Sequence, residues 1–315
     1  MDKFLHELSD FSQLIAVVSD EKRIDPILVE KDYWIMHCLW GLQNLGLIFE
    51  LKGGTSLSKG FGIIHRFSED IDLRIDPPIE MDVKVGRNQS KPAQVESRRR
   101  FYEQLAIDIK IPGIVNVQRD SAFDDIKQLR SAGIRLSYDT KQFALEGVKD
   151  GILLEVGFDD TTPNRPVTIS SWAWETATIK RVKVKDNRAH NVLCYAPTHT
   201  FVEKLQTIST KYRALDKSEK FPTNFLRHYY DVYCLLELNE IQEFIKQTSY
   251  IERKQQRFRL GDEQVIAKNP AFTLNNTDER LRFAKEFKKT ASLYYQGQPT
   301  FEVILARIHQ YIDRM

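Results

Sequence analysis

Apolar residues recur along the first eighteen positions at helical spacing: Phe4, Leu8, Phe11, Leu14, Ile15 and Val18. Steps of three, four and seven put them on one face, so residues 1–18 are predicted to form an amphipathic helix. Pro26 then opens "PILVEKDYWIMHCLWGLQNL", whose apolar content predicts a deeply buried second helix. "LIFELK" reads as a short strand ending at Gly53-Gly54, and "TSLSKGF" as one or two helical turns. "EDIDLRI" alternates with period two and stops at Pro77-Pro78, which predicts a strand. Residues 77–95 are polar, with Pro, Gly and Asn, and read as a loop. "QVESRRRFYEQLAIDI" reads as a helix. "GIVNVQ", "GIRLSYDT" and "GILLEVGFDD" read as strands opened by glycines, and "DNRAHNVLCYAP" ends in another strand at Pro197.

Beyond that proline the period changes. "PTHTFVEKLQTISTKYRAL", "NFLRHYYDVYCLLEL", "IQEFIKQTS", "IERKQQRFRL", "DERLRFAKEFKKTASLYY" and "TFEVILARIHQYIDR" all carry helical spacing. The pattern therefore predicts an α+β domain over 1–195 and an all-helical domain over 196–315, with no repeat and no low-complexity tract.

Composition adds bounds rather than a function. At 315 residues, with 42% apolar and 29% charged positions, the chain is long enough for one large or two ordinary domains. The net charge of +2 gives no overall nucleic-acid signature, so a basic surface would have to come from clustering. Three dispersed cysteines without a C-x-x-C read as reduced thiols. No run approaches the roughly 18 apolar residues of a membrane span, and the N-terminus lacks a signal-peptide core, so a cytoplasmic location is expected.

The chemistry concentrates in "LKGGTSLSKGFGIIHRFSEDIDLRID", residues 51–76. On the strand, Ser68, Asp70, Asp72 and Arg74 share one face, while Ile71, Leu73 and Ile75 share the other. Two carboxylates at i and i+2 repel unless water or a cation separates them, and oxygen-only ligands suit a hard divalent ion such as Mg²⁺. Such an ion commonly also holds substrate phosphates. Gly53 and Gly54 let the backbone approach a phosphate, and the helical turn after them offers free N–H groups. Thr55, Ser56 or Ser58 can add hydroxyls, and Lys59 or Arg66 can add charge. Each part has a bland alternative: a solvated strand face for the carboxylates, a simple turn for the glycines. The P-loop spacing and the G-x-G-x-x-G fingerprint are both absent.

The order strand, Gly-Gly, hydroxyls, helical turn and Ser-x-Asp-x-Asp strand resembles the nucleotidyltransferase superfamily with a Gly-Ser element followed by Asp-x-Asp. More narrowly, "GGTSLSKGF" with "RFSEDIDL" resembles the AbiEii/AbiGii nucleotidyltransferase toxins of type IV toxin–antitoxin systems. The resemblance implies a nucleotidyltransferase-fold mixed sheet flanked by helices. It also implies phosphate contact at Gly54 and Thr55 (or Ser56) and a metal pair at Asp70 and Asp72, with Gly53, Lys59, Arg66 and Ser68 as further nucleotide contacts. Thr55 departs from the superfamily's usual Ser, and the gap to Asp70 is slightly long.

A third carboxylate is expected on a neighbouring strand, and "GILLEVGF" offers Glu155 as metal ligand or general base. The alternative for Glu155 is an ion pair with a residue such as Arg135. "FVEKLQTISTKYRAL" and "LRHYYDVYCL" resemble further family helices. They imply that Lys204 meets triphosphate charge and that Asp231 helps hold the site, with Arg227 and Asp231 spaced as an i, i+4 pair. "VEKDYWI" also resembles a recurrent family element, in which Tyr33 and Trp34 pack while Glu30, Lys31 and Asp32 lie near the site mouth.

Three basic clusters remain. Arg98, Arg99 and Arg100 fan around a helix. Arg181, Lys183 and Lys185 are expected on one strand face. Arg253, Lys254, Arg257 and Arg259 surround Phe258. Basic clusters with an aromatic suit an RNA backbone and a stacked base; the alternative is a solvated charged face.

The resemblance as a whole implies an enzyme dependent on Mg²⁺ (or Mn²⁺) that transfers a nucleoside monophosphate from an NTP, releases pyrophosphate, and uses the 3′ end of tRNA as acceptor. Its partners would be NTP, tRNA and a cognate antitoxin. Two other readings stay open. One is the same transfer to a protein or small-molecule hydroxyl, with Ser68 itself a candidate. The other is a non-catalytic nucleotide- or RNA-binding module, against which the full set Asp70, Asp72, Glu155 and Lys204 argues.

Overall fold

A computed structural model describes residues 3–145, 148–215, 221–222 and 224–315. They group into two units, Met1–Phe61 with Phe67–Tyr195, and Gly62–Arg66 with Ala196–Met315.

The first unit is a mixed sheet with helices on it, so the expected α+β class is observed. Its strands are β1 (Phe49–Lys52), β2 (Asp70–Ile75), β3 (Ile114–Asp120), β4 (Ser131–Tyr138), β5 (Ile152–Gly157), β6 (Asn164–Ile169) and β7 (Ala189–Tyr195), in the order β3-β4-β5-β2-β1-β7-β6. β2 runs antiparallel to β1 and parallel to β5. Its helices are α1 (Phe11–Lys22), α2 (Pro26–Asn44), the single turn α3 (Gly53–Thr55), α4 (Pro92–Asp108) and α5 (Trp172–Ile179). Asp25 caps α2 by accepting the Ile27 N–H, and Pro26 fills its first turn. α2 is buried from Ile27 to Leu39 and packs on β5 and β7, while α1 and α5 pack against α2. α4 packs on β3 and β4.

Two local expectations are corrected, and two elements are added. The helix predicted for residues 1–18 is broken: a short turn at Leu5–Glu7, whose start is capped by the Glu7 carboxylate accepting the Phe4 N–H at 2.7 Å, ends in extended Leu8, and α1 starts only at Phe11. β6 and α5 were not evident in the sequence pattern. Arg181, Lys183 and Lys185 do not lie on a strand; Val182–Arg188 has no regular structure, and the Lys185 ammonium sits 4.5 Å from the Phe4 ring centre.

The second unit is helical: α6 (Pro197–Arg213), α7 (Arg227–Leu235), α8 (Asn239–Phe244), α9 (Thr248–Arg257), α10 (Pro270–Thr273), α11 (Thr277–Lys288) and α12 (Phe301–Tyr311). Its core is aromatic. Tyr229 on α7 meets Phe225 at 5.6 Å, Phe283 at 6.2 Å and Phe301 at 5.4 Å between ring centres, at tilted or edge-on angles that suit ring quadrupoles. No helix among the described residues is long and apolar enough to cross a membrane.

Candidate active site

β1 delivers the glycine pair. Gly53 has φ +74°, the left-handed region that glycine enters without steric cost. A Cβ there would stand 1.9 Å from Asp72 Oδ2, so the backbone and the carboxylate already share the closest approach that glycine allows. α3 and the π-helical turn Ser56–Gly60 follow. Here the hydroxyls depart from expectation. Thr55 and Ser56 are both fully buried. The Thr55 hydroxyl donates to the Asp70 carbonyl and the Ser56 hydroxyl to the Gly53 carbonyl, so both tie backbone together instead of facing a ligand.

β2 behaves as its alternation predicts. Ile71, Leu73 and Ile75 are buried, and Asp70, Asp72 and Arg74 are half-exposed on the other face. The register places Asp72 beside Glu155 of β5 on one side and Lys52 of β1 on the other. Burial raises the Glu155 carboxyl to about 7, and the Asp72 and Asp70 charges push the same way against Lys149 and Lys52. Arg135 does not neutralise Glu155; it pairs with Asp120 at 2.6 Å.

Lys149 has no distinguishing sequence signal, yet it brings a cation to this site. Its ammonium reaches both oxygens of Asp70, at 2.9 and 2.7 Å. Its backbone is held as well: the Lys149 N–H donates to Glu69 Oε2 at 2.7 Å, and its carbonyl accepts from the Lys31 ammonium. Lys31 also pairs with Glu69 at 3.2 Å.

Lys31 and Asp32 are therefore buried under the site rather than near its mouth, and Glu30 is buried too. Asp32 binds Lys59 at 2.7 Å and accepts the Trp172 N–H at 2.8 Å. Lys59, expected as a free phosphate donor, is thus committed to an internal ion pair, with the Trp172 ring 5.1 Å away. Ser68 is half-buried just ahead of β2.

In the helical unit, Arg66 grips Asp231 through two bonds of 2.7 Å, and Lys204 reaches the same carboxylate at 2.8 Å. Burial pushes the Asp231 carboxyl up, but Arg66 and Lys204 outweigh it and hold the group well below the usual carboxylate range. Lys204 is buried rather than solvated, and Arg66 joins this cluster instead of offering an open guanidinium.

The basic clusters are consumed only in part: Arg99, Arg100, Arg181, Lys183, Lys185 and Arg259 are exposed, while the others are engaged inside the fold. Arg98 is fully buried and donates to the carbonyls of Gln128, Lys84 and Gln89. Phe258 is buried, Lys254 donates to the carbonyls of Gln264 and Met315, and Arg253 and Arg257 both reach Glu203.

Among the described residues no three His, Cys, Asp or Glu groups enclose a common point for an ion. The Lys149 ammonium contacts both Asp70 oxygens. The donor chemistry itself fits a hard divalent ion. The groups are carboxylate oxygens only, on one face of two paired strands, beside a backbone that leaves no room for a side chain.

Residues 35–307 match the family model described as nucleotidyl transferase AbiEii toxin, type IV TA system. The match puts the protein in the nucleotidyltransferase class. Within that class, the chain belongs to the AbiEii toxin family of type IV toxin–antitoxin systems. A search of curated proteins found no match. Two solved structures are similar to it at 12% identity, both of terminal uridylyl transferase 4 from Trypanosoma brucei. The one with bound UPU has a TM-score of 0.28 over 73% of this chain and 58% of that chain. The one with bound dUTP has a TM-score of 0.32 over 96% and 97%. The chain thus spans 58% of the length of the first.

Proposed function

We propose that this protein transfers a nucleoside monophosphate from an NTP to an acceptor hydroxyl, using Asp70, Asp72 and Glu155 as its catalytic carboxylates. The observation that carries the reading is the row Asp72–Glu155 on paired strands, with Asp70 two residues away and Gly53 against Asp72. In the reaction, the acceptor oxygen bonds to the α-phosphorus as the bond from that phosphorus to the α–β bridging oxygen breaks, and pyrophosphate leaves. Glu155 is proposed to take the acceptor proton as general base. A divalent ion, Mg²⁺ or Mn²⁺, held by these carboxylates would neutralise the triphosphate and fix the phosphorus in line for attack. The Gly53-Gly54 backbone lets the phosphates come close. Lys204 is proposed to meet substrate charge, with Asp231 and Arg66 fixing its ammonium.

The proposed acceptor is the 3′ end of tRNA. Its support is the family resemblance, not the basic clusters. Family membership also supports a cognate antitoxin as partner. The test is label transfer: purified protein, Mg²⁺ or Mn²⁺, each α-labelled NTP in turn, and total tRNA, beside Asp70→Ala and Asp72→Ala. Label on tRNA from one NTP, lost in both variants, is expected. Label on the protein alone would move the acceptor to a protein hydroxyl such as Ser68. No label on any acceptor would overturn the proposal.

A further inference from the structure

The lysine on Asp70 is held at both ends by consecutive residues of one strand entrance. Glu69 is buried and accepts the Lys149 N–H at 2.7 Å, and Asp70 accepts its ammonium through both oxygens at 2.9 and 2.7 Å. Lys31, also buried, completes the clamp by donating to the Lys149 carbonyl and pairing with Glu69. The Phe123 ring lies 4.4 Å from the ammonium. A mobile surface lysine has none of this. Its backbone would be solvated, and its ammonium would lose more rotamer entropy in such a geometry than an exposed pair returns.

The ammonium occupies the bidentate position of the Asp70 carboxylate. A Mg²⁺ ion approaches carboxylate oxygens at about 2.0–2.1 Å, where its charge and that of an ammonium on the same carboxylate repel, so the two cations compete there. We infer that Lys149 is a tethered counter-ion of the metal site: it occupies Asp70 while no divalent ion is bound and must swing away for one to enter. Metal binding then carries a built-in competitor, and binding is favoured when a triphosphate arrives with the ion and offers the displaced ammonium a new anionic partner. This inference rests on the reading of Asp70 and Asp72 as the metal pair.

The experiment is Mn²⁺ titration of the full chain, followed by the paramagnetic resonance of free Mn²⁺, without nucleotide and with a non-hydrolysable NTP analogue. It compares wild type, Lys149→Met, Lys52→Met and Asp70→Asn. Lys149→Met should tighten nucleotide-free Mn²⁺ binding by on the order of fivefold or more, the scale of a partly exposed pair strengthened by bidentate contact. Lys52→Met controls for the loss of one positive charge nearby, since Lys52 lies beside Asp72 in register and is 4.0 Å from Asp159; it should tighten binding less. The analogue should tighten binding more in wild type than in Lys149→Met. Equal Mn²⁺ affinity in wild type and Lys149→Met, with binding lost in Asp70→Asn, would overturn the inference and leave the metal site standing. Unchanged binding in Asp70→Asn would overturn the metal site itself.

Discussion

Gly53 and Asp72 occupy adjoining space so tightly that a single methyl on the glycine would stand 1.9 Å from a carboxylate oxygen. The positive φ at Gly53 adds its own restriction. Gly53→Ala is expected to cost about 1–2 kcal/mol of stability from the left-handed conformation. Because the carboxylate must also shift by an ångström or more, nucleotidyl transfer should fall about a hundredfold. Thermal unfolding and single-turnover transfer, measured on the same preparation, check both. Unchanged transfer would mean that the position of Asp72 does not matter to the chemistry.

Glu155, the proposed base, is expected to trade stability for function. Its carboxyl is raised from 4.5 to about 7, so the folded state favours the protonated form. Its favourable contribution is present below the ordinary glutamate range and is lost as pH rises from there to about 7. Across that window the loss is on the order of 3 kcal/mol. Glu155→Gln should therefore raise the denaturation midpoint at pH 8, leave it nearly unchanged at pH 4, and abolish transfer. Adding Mg²⁺ at pH 8 should raise the midpoint of wild type more than that of the variant. Chemical denaturation at the two pH values separates these outcomes.

Asp231 works in the opposite sense. Its carboxyl is held below the usual range, so its contribution is present above that range and is lost only in stronger acid. Asp231→Asn would leave the buried Arg66 and Lys204 charges without their shared anion, which costs roughly 3–5 kcal/mol for a broken buried pair. Lys204→Met in the Asp231→Asn background should recover part of that loss but no transfer activity. Urea unfolding curves of the single and double variants test the coupling.

The cluster around Phe258 should not behave as an RNA surface. Lys254 donates to the carbonyls of Gln264 and Met315, which ties these two segments together. Lys254→Met is expected to lower the melting temperature by a few degrees and to leave the salt dependence of tRNA binding unchanged. A shallower salt slope in the variant would return this lysine to the interface.

The sequence carried the frame of the site well. Alternation at Asp70–Ile75 and the glycine opening before it are local signals, and the structure keeps both. Glu155 drew notice as a lone acid in an apolar strand, and the register sets it beside Asp72. The partners were not legible. Lys149 lies 79 residues from Asp70, and the direction in which Thr55 turns depends on a carbonyl 15 residues on. Local periodicity holds no information about such pairings, and so Lys59, Arg66 and the buried arginines looked free when they were already engaged. β6 was hidden for another reason. Pro166 interrupts its pattern, and an edge strand such as β6 tolerates a proline that a central strand would not.

Residues 62–66 belong with the helical unit although the chain on both sides of them does not. Arg66 must therefore wait for Asp231, 165 positions later in synthesis. At about 5–20 residues per second, a ribosome needs roughly ten to thirty seconds to deliver the partner. Through that interval the nascent chain carries its glycine pair and carboxylate strand while Arg66 lacks its anion. Pairing Arg66 with Asp231 is thus a late event of synthesis, whatever has folded before it.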